Sequence, residues 1–579
     1  MSSNVRPQTN VGVGTLRETD EKEYTINEGW DFYQRNVPDD SVFDREPFDY
    51  DCTNINQNGP VRVEIPSYPG KFLNPASLRL NGTCRLIYKE KGVKKNTLPV
   101  NATVIGRADG KQLPELEFVA KTEPQKTTLK TKTAKELIDN EKLYPVVTGV
   151  QLLRAAADNS VSGVTLTTDY AKIVMAPQAE SKQYPFVAPE NLMCQSLFND
   201  VQIFMNSVQV TKNANLEYAH KAYFETLLTY SDEAFKTHMQ GEMWNPDDDL
   251  EIAAKDTGND GTNKKFQDKY GETASFQRKA KKYCANEDFQ FSMQLHTELS
   301  SINSYLPDNI RYEFVFHPNQ PSLYLRGATG LQTAMDTAGG KYEIFFSKLS
   351  LSGEFMIPSP AVLGQIERFF KSNDAIFRTV RTEILKNQIN ARLQHFDWTN
   401  IFSASTLPDQ IFMAMVAQDA KDGSIEKDPF YFGHYDVSHV RMSINNRNYP
   451  VTTLTPDFEK NNYMIAYKNL YDNMAIKNAN CGLTITPNSF KYGNTIFAWD
   501  LNKDGCGGAH GNHSELHGNA SLHLLFKKPL PENVCVLICG IYRDYMLLDQ
   551  WRKPKVITGY GIAEMFAALA AKRKSAASI

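Results

Sequence analysis

Little in this sequence points to secretion, to a membrane or to catalysis. Cysteine is scarce, eight in 579 residues. Cys52, Cys84, Cys194, Cys284, Cys481, Cys506, Cys535 and Cys539 are spread too thinly for a disulfide scaffold. The amino terminus, MSSNVRPQTNVGVG, has no apolar core to serve as a signal peptide. A reducing, intracellular site of synthesis is therefore expected. The longest apolar stretches, such as VCVLICGIY from Val534 to Tyr542, reach about half of the ~20 residues that span a bilayer, so no transmembrane helix is expected. An excess of one charge is missing too: 63 Lys+Arg against 67 Asp+Glu leave −4. That balance does not suit a chain whose main work is coating nucleic acid or an anionic membrane. No GxSxG elbow, GxxxxGK[ST] phosphate loop or HExxH zinc helix occurs.

What is present is ordinary globular material, 41% hydrophobic and 22% charged, long enough for two large all-β units with arms and insertions. Residues 1–55 carry isolated aromatics, among them Trp30, Phe43, Phe48 and Tyr50, with no sustained period, and read as an amino-terminal arm. From Val61 the alternation in VRVEI and LRLNGTCRLIY, bounded by Pro66, Pro69, Gly70 and Pro75, predicts strands. Two polar, Lys-rich insertions, 121–142 and 251–282, lack apolar residues with which to pack and are expected to project.

A long-range repeat organises the rest. VQIFMNSVQV turns at Asn206-Ser207, and VRMSINNRNYPV turns at Asn445-Asn446. Each hairpin is followed by a helical stretch with Ala-Tyr, at Tyr223 and Tyr467. The offsets, 445 − 206 = 239 and 467 − 223 = 244, predict a duplicated unit of about 240 residues. Between the copies, Ser359 is placed to cap and Pro360 to start a helix whose Leu363, Ile366 and Phe370 share a face. The expected organisation is an arm at 1–55, a first sandwich at 56–357, a linker helix at 358–372, a second sandwich at 373–555 and a carboxyl-terminal amphipathic tail at 556–579.

Candidate chemistry is sparse. Cys506, His510, His513 and His517 are soft or borderline donors within 12 residues and form the one cluster with metal-ligand spacing. The surrounding glycines argue instead for a loop tip with solvated histidines. His513-x-Glu515 followed by Cys535 and Cys539 resembles a zinc-deaminase signature, but three residues separate the cysteines instead of two and no proline directly precedes Cys535. Cys535, Leu537 and Cys539 instead alternate onto one face of a strand as small apolar residues. The run Asp247-Asp248-Asp249 reads as a solvated loop. In the tail, Ile562, Met565, Phe566 and Leu569 form an apolar face ahead of Lys572, Arg573 and Lys574, an expected assembly contact.

These hairpins and helices, with VRVEIPSYPGKFLNPASLRL, LPDQIFMAMV, DGSIEKDPFYF, GNTIFAWDL and MLLDQWR in this order, resemble the double jelly-roll major capsid proteins of the Polinton/Maverick and adintovirus group, of the adenovirus hexon lineage. The likeness covers about residues 45–555. The family's Asn-Gly turn is Asn-Ser or Asn-Asn here, and its Asn-Pro-Phe is Asp428-Pro429-Phe430, substitutions that turns accept. The resemblance implies an all-β fold of two jelly-roll sandwiches in tandem, with a few short helices and long loop insertions. It further implies a homotrimer with a pseudo-hexagonal outline that tiles an icosahedral shell beside penton and minor capsid proteins. On this reading the protein is structural and not an enzyme, needs no cofactor and recognises no specific nucleic acid. It would be made in the host cytoplasm, assembled in the nucleus and found in the virion capsid. The alternatives are a minor capsid protein of that lineage or a tandem β-sandwich that binds or cleaves carbohydrate.

Overall fold

The computed structural model describes residues 41–56, 59–90, 187–211, 217–247, 274–283, 288–327, 340–371, 373–402, 406–474, 485–502 and 517–558, with short pieces elsewhere. The insertion at 121–142 and residues 1–40 of the arm lie outside the described residues.

Eight strands make the first sandwich: β1 (Val42–Asp51), β2 (Val61–Ile65), β3 (Phe72–Glu90), β4 (Phe198–Met205), β5 (Val208–Gln209), β6 (Phe289–Gln294), β7 (Tyr312–Pro318) and β8 (Gly340–Pro358). Eight more make the second: β9 (Ala375–Ile389), β10 (His395–Trp398), β11 (Gln410–Ala417), β12 (Val437–Ile444), β13 (Arg447–Leu454), β14 (Ile496–Asp500), β15 (Ala520–Phe526) and β16 (Val534–Leu548). The sheets run β1-β8-β3-β6 and β5-β4-β7-β2 in the first, β9-β16-β11-β14 and β13-β12-β15-β10 in the second, all antiparallel. Each strand of the first sandwich thus has its counterpart eight strands later, and each set is a jelly roll. The fold is a double jelly roll.

The duplication extends to individual hydrogen bonds. Both hairpins turn through two residues of positive φ, 46° and 66° at Asn206 and Ser207, 50° and 63° at Asn445 and Asn446, as a tight two-residue turn requires. Asn206 donates its N–H to Arg311 O and accepts the Arg311 N–H on Oδ1, both at 2.9 Å; Asn445 does the same with Asn519, again both at 2.9 Å. Arg311 and Asn519 immediately precede the equivalent strands β7 and β15. The 240-residue period holds only near the hairpins: β1 to β9 is 375 − 42 = 333 and β6 to β14 is 496 − 289 = 207. Insertions between β3 and β4 and between β5 and β6 stretch the first copy.

Four expectations need correction. Val42–Asp51, assigned to the arm, is an edge strand of the first sandwich; its exposed side chains are mostly charged, though Phe43 is exposed too, and Phe48 and Tyr50 pack inward against the core. The insertion 251–282 does pack at its end. Helix α2 (Ala274–Tyr283), which follows the helix described next, buries Phe276, Lys279, Ala280 and Tyr283, an i, i+3, i+4, i+7 stripe. Lys279 Nζ lies 2.9 Å from Asp247 Oδ1, so Asp247 is buried in an ion pair rather than solvated. Finally, helix α3 (Pro360–Phe370) starts at Pro360, but Ser359 makes no side-chain cap.

Helix α1 (Tyr218–Thr229) follows the first hairpin and helix α4 (Met464–Asp472) the second. Because successive strands reverse, the connections β1–β2, β3–β4, β5–β6 and β7–β8 share one end of the sandwich, here the top. The start of β1, α3 and the end of β16 share the bottom. The two sandwiches stand the same way up: Gly327 N–H donates to Ile425 O at 2.7 Å between top connections. At the bottom, Asn206 Nδ2 donates to Arg552 O at 3.0 Å.

Candidate functional site: the seam between the sandwiches and the two ends

The longest apolar run in the sequence explains where the sandwiches meet. Every residue from Val534 to Gly540 is buried and only from Ile541 does β16 alternate; all eight residues of β11 are buried as well. A strand buried on both faces needs a cover on each. One cover is the partner sheet of its own sandwich, and the other is α1 of the first sandwich. Ten of the twelve α1 residues are buried, which is why its sequence shows no clear polar face.

The seam is charged at its centre and aromatic at its top. Glu217 lies 2.6 Å from Lys386 Nζ, 2.9 Å from Lys421 Nζ and 2.9 Å from His220 Nδ1. Burial opposes its ionisation, yet the His220, Lys386 and Lys421 contacts hold its carboxyl far below the usual range. About two turns on, burial would raise Glu225, but Lys221 and the 2.8 Å contact with His296 Nδ1 bring it down to about 2. Above these, Tyr223 stacks on Phe430 with centroids 4.4 Å apart, and Phe224 stacks on Phe432 at 4.9 Å. The short top segment Asp428-Pro429-Phe430 therefore serves as a clasp, its Pro429 O facing His220 Nε2 at 3.3 Å.

A second clasp closes the bottom. Arg552, at the end of MLLDQWR, pairs with Asp308 at 3.2 Å and lies 3.8 Å over the Phe370 ring of α3. With its carbonyl on Asn206, it ties the end of the second sandwich to the hairpin turn, the β6–β7 connection and the linker helix of the first.

Folded-state pKa values below the unfolded ones mean that Glu217 and Glu225 stabilise the seam above about pH 4.5 and lose that contribution as pH falls. For Glu225, a drop from 4.5 to about 2 corresponds to on the order of 3 kcal/mol. Urea midpoints of the wild type should fall steeply between pH 5 and pH 2, values chosen to bracket the two states. Glu225→Gln should flatten that slope; an unchanged slope would refute the assignment.

Cys535 and Cys539 alternate onto the α1 side of β16, close to Glu217 and Glu225 respectively, and burial pushes the Cys535 thiol up to about 12. Cys52, Cys84 and Cys194 are also free and buried. Of the metal candidates, Cys506, His510 and His513 lie outside the described residues; His517 bridges Thr406, and its carbonyl accepts from Asn445 Nδ2. Among the described residues, no three His, Cys, Asp or Glu side chains are gathered to hold a metal, and no helix is long and apolar enough to cross a membrane.

The tail differs from expectation where it is described. Ile562 and Met565 are buried against Ile557, Tyr545 and Leu547 of their own chain, because the short strand Pro554–Ile557 on β16 leaves those side chains to be covered. Phe566 and Leu569 lie outside the described residues.

No family model matches the chain. The uncharacterized protein F54H12.2 of Caenorhabditis elegans is 24% identical over 407 residues, covering 68% of this chain and 87% of the nematode protein. Among solved structures, a chain of the Sputnik virophage cryo-EM structure is 11% identical, covering 97% of this chain and 95% of that one, with a TM-score of 0.49. The mavirus major capsid protein is 10% identical, covering 95% and 99%, with a TM-score of 0.42. The Faustovirus major capsid protein is 9% identical, covering 90% and 92%, with a TM-score of 0.41.

Proposed function

We propose that this chain is a structural, non-catalytic major capsid protein of the Polinton/Maverick and adintovirus type. It trimerises into pseudo-hexagonal blocks that tile an icosahedral shell, with penton and minor capsid proteins as further partners and the virion capsid as its location. The observation that carries the reading is the duplication: two jelly rolls, matched strand for strand and standing the same way up, so that three chains supply six equivalent lobes. The segregation of ends supports it. The start of β1, the linker and the end of β16 lie at the bottom, and the long insertions leave from the top, as suits a block with an inner, tethered face and an outer, variable one. The tail contributes shell contacts from Phe566 onward, beyond the residues already buried on the chain itself.

Light scattering on the purified protein tests the reading. Three chains of 65.4 kDa give about 196 kDa, and negative-stain images should show three-fold blocks or shells. A monodisperse monomer at micromolar concentration would overturn it.

A further inference from the structure

Above the clasp, the top connections of the two sandwiches leave an open cleft of about 340 Å³ between them, a volume in the range of small-ligand pockets. Its lining comes from the β3–β4 and β5–β6 connections of the first sandwich and the β11–β12 and β13–β14 connections of the second, so the cleft is complete within one chain and lies at the top end.

One wall is aromatic. Phe430 stacks on Tyr223 at 4.4 Å, Tyr223 on Trp244 at 5.6 Å and Trp244 on Phe235 at 4.2 Å, a column of four buried rings that crosses the seam. Another wall is polar and runs from Thr486 to Asn494. Its backbone is fixed. Phe432 N–H donates to Gly493 O at 2.7 Å and Asn494 N–H to Ser489 O at 2.9 Å. Gly493, at a φ of 103°, passes so close to Tyr431 that an added Cβ would come within 2.9 Å of the ring. On this frame the Tyr492 hydroxyl and the Asn494 amide belong to partly exposed residues, and neither side chain makes a hydrogen bond among the described residues. Each of the two groups can both donate and accept.

The charges of the cleft are spent within the chain. Asp232 pairs with Lys236, Asp247 lies 2.9 Å from Lys279, and Asp428 accepts the Phe430 N–H at 2.8 Å and lies 4.0 Å from Arg326. A phosphate or carboxylate ligand would meet no uncommitted cation there. An uncharged ligand that is apolar on one face and carries hydroxyls around its edge matches both walls, and a pyranose ring has that form.

We propose that the cleft binds a neutral sugar, with the ring column against its apolar face and Tyr492 and Asn494 bonding its hydroxyls. The site does not depend on the trimer. On the capsid reading the top is the outer face, where carbohydrate outside the shell would reach it.

Saturation-transfer NMR on the full chain tests it, with glucose, galactose, mannose and N-acetylglucosamine as probes and N-acetylneuraminic acid as the charged comparison. Transfer to at least one neutral sugar is expected, and its dissociation constant should rise about 3–10-fold in Tyr492→Phe and again in Asn494→Ala, each of which removes one bonding group. Both side chains bond nothing else among the described residues, so circular dichroism and the unfolding midpoint should stay those of the wild type. Gln290→Ala is the control, because Gln290 lines a separate open groove on the outer face of the β1-β8-β3-β6 sheet; it should bind as the wild type does. Absence of transfer to all four neutral sugars overturns the proposal. So does tighter binding of N-acetylneuraminic acid, or binding that both cleft variants leave intact, or binding that Gln290→Ala abolishes. Should Asn494→Ala fail to fold, Tyr492→Phe decides: a weaker sugar signal supports the site, and an unchanged one overturns it.

Discussion

Phe432→Ala is expected to lower stability by about 3–5 kcal/mol and to uncouple the two sandwiches. The Phe432 side chain has no exposed surface and lies against α1 of the other sandwich, stacked on Phe224 at 4.9 Å and edge-on to Tyr223 at 5.9 Å. Its backbone is held separately, donating to Gly493 O at 2.7 Å and accepting from Thr495 N at 3.0 Å. Truncation should therefore leave the loop in place and open a cavity in the seam. The wild-type core is continuous through both sandwiches, so denaturant unfolding followed by near-ultraviolet and far-ultraviolet dichroism should coincide. In the variant the two should separate. Phe314→Ala, equally buried but inside the first sandwich, should lose similar stability while the probes stay coincident. Coincident curves for Phe432→Ala would mean that the seam does not couple the sandwiches through this ring.

What the sequence discloses about this fold follows where a single local interaction decides the outcome. Asn206-Ser207 and Asn445-Asn446 are legible because positive φ at two successive residues admits few side chains, and Pro360 because its ring is already set for the first helical position. Ser359 misleads for a complementary reason: a residue suited to capping is no guarantee that its side chain turns to the helix. Strand β1 escapes detection because Pro47 and the acids of FDREPFDYD all lie on its solvent side or edge, leaving only Phe48 and Tyr50 to mark the inward face. Most opaque is the seam. Glu217, His220, Lys221 and Glu225 read as ordinary surface residues of a helix, and only the tertiary partners Lys386, Glu298 and His296 turn them inward. The one available signal was the lack of a polar stripe in YAHKAYFETLLT, which is what a helix covered all round requires. Similarly, the run VCVLICG disclosed a strand, but its being apolar on both faces was the trace of a second sandwich lying against it.

The lower seam makes the second large effect. Arg381 of β9 and Asp544 of β16 are both nearly buried, with Arg381 Nε 2.5 Å from Asp544 Oδ2 and the guanidinium 3.9 Å over the Tyr542 ring. Glu298, Leu299 and Ile302 of the first sandwich line the same small cavity, and Ser301 Oγ accepts the Val380 N–H at 2.9 Å. Burial alone would disfavour the charge on Arg381, but Asp544 holds it in the charged form. Asp544→Ala therefore leaves a buried guanidinium with only the partly exposed Glu383 beside it, and should cost about 3–5 kcal/mol. The paired replacement Arg381→Met with Asp544→Leu should come out within about 1–2 kcal/mol of wild type, because apolar groups of similar volume avoid desolvating two charges. Measured by urea unfolding, the single change should thus hurt far more than the double. If Asp544→Ala in the Arg381→Met background cost as much as in the wild type, the pair would be mere packing, and the lower seam would be held by Leu299 and Ile302 alone.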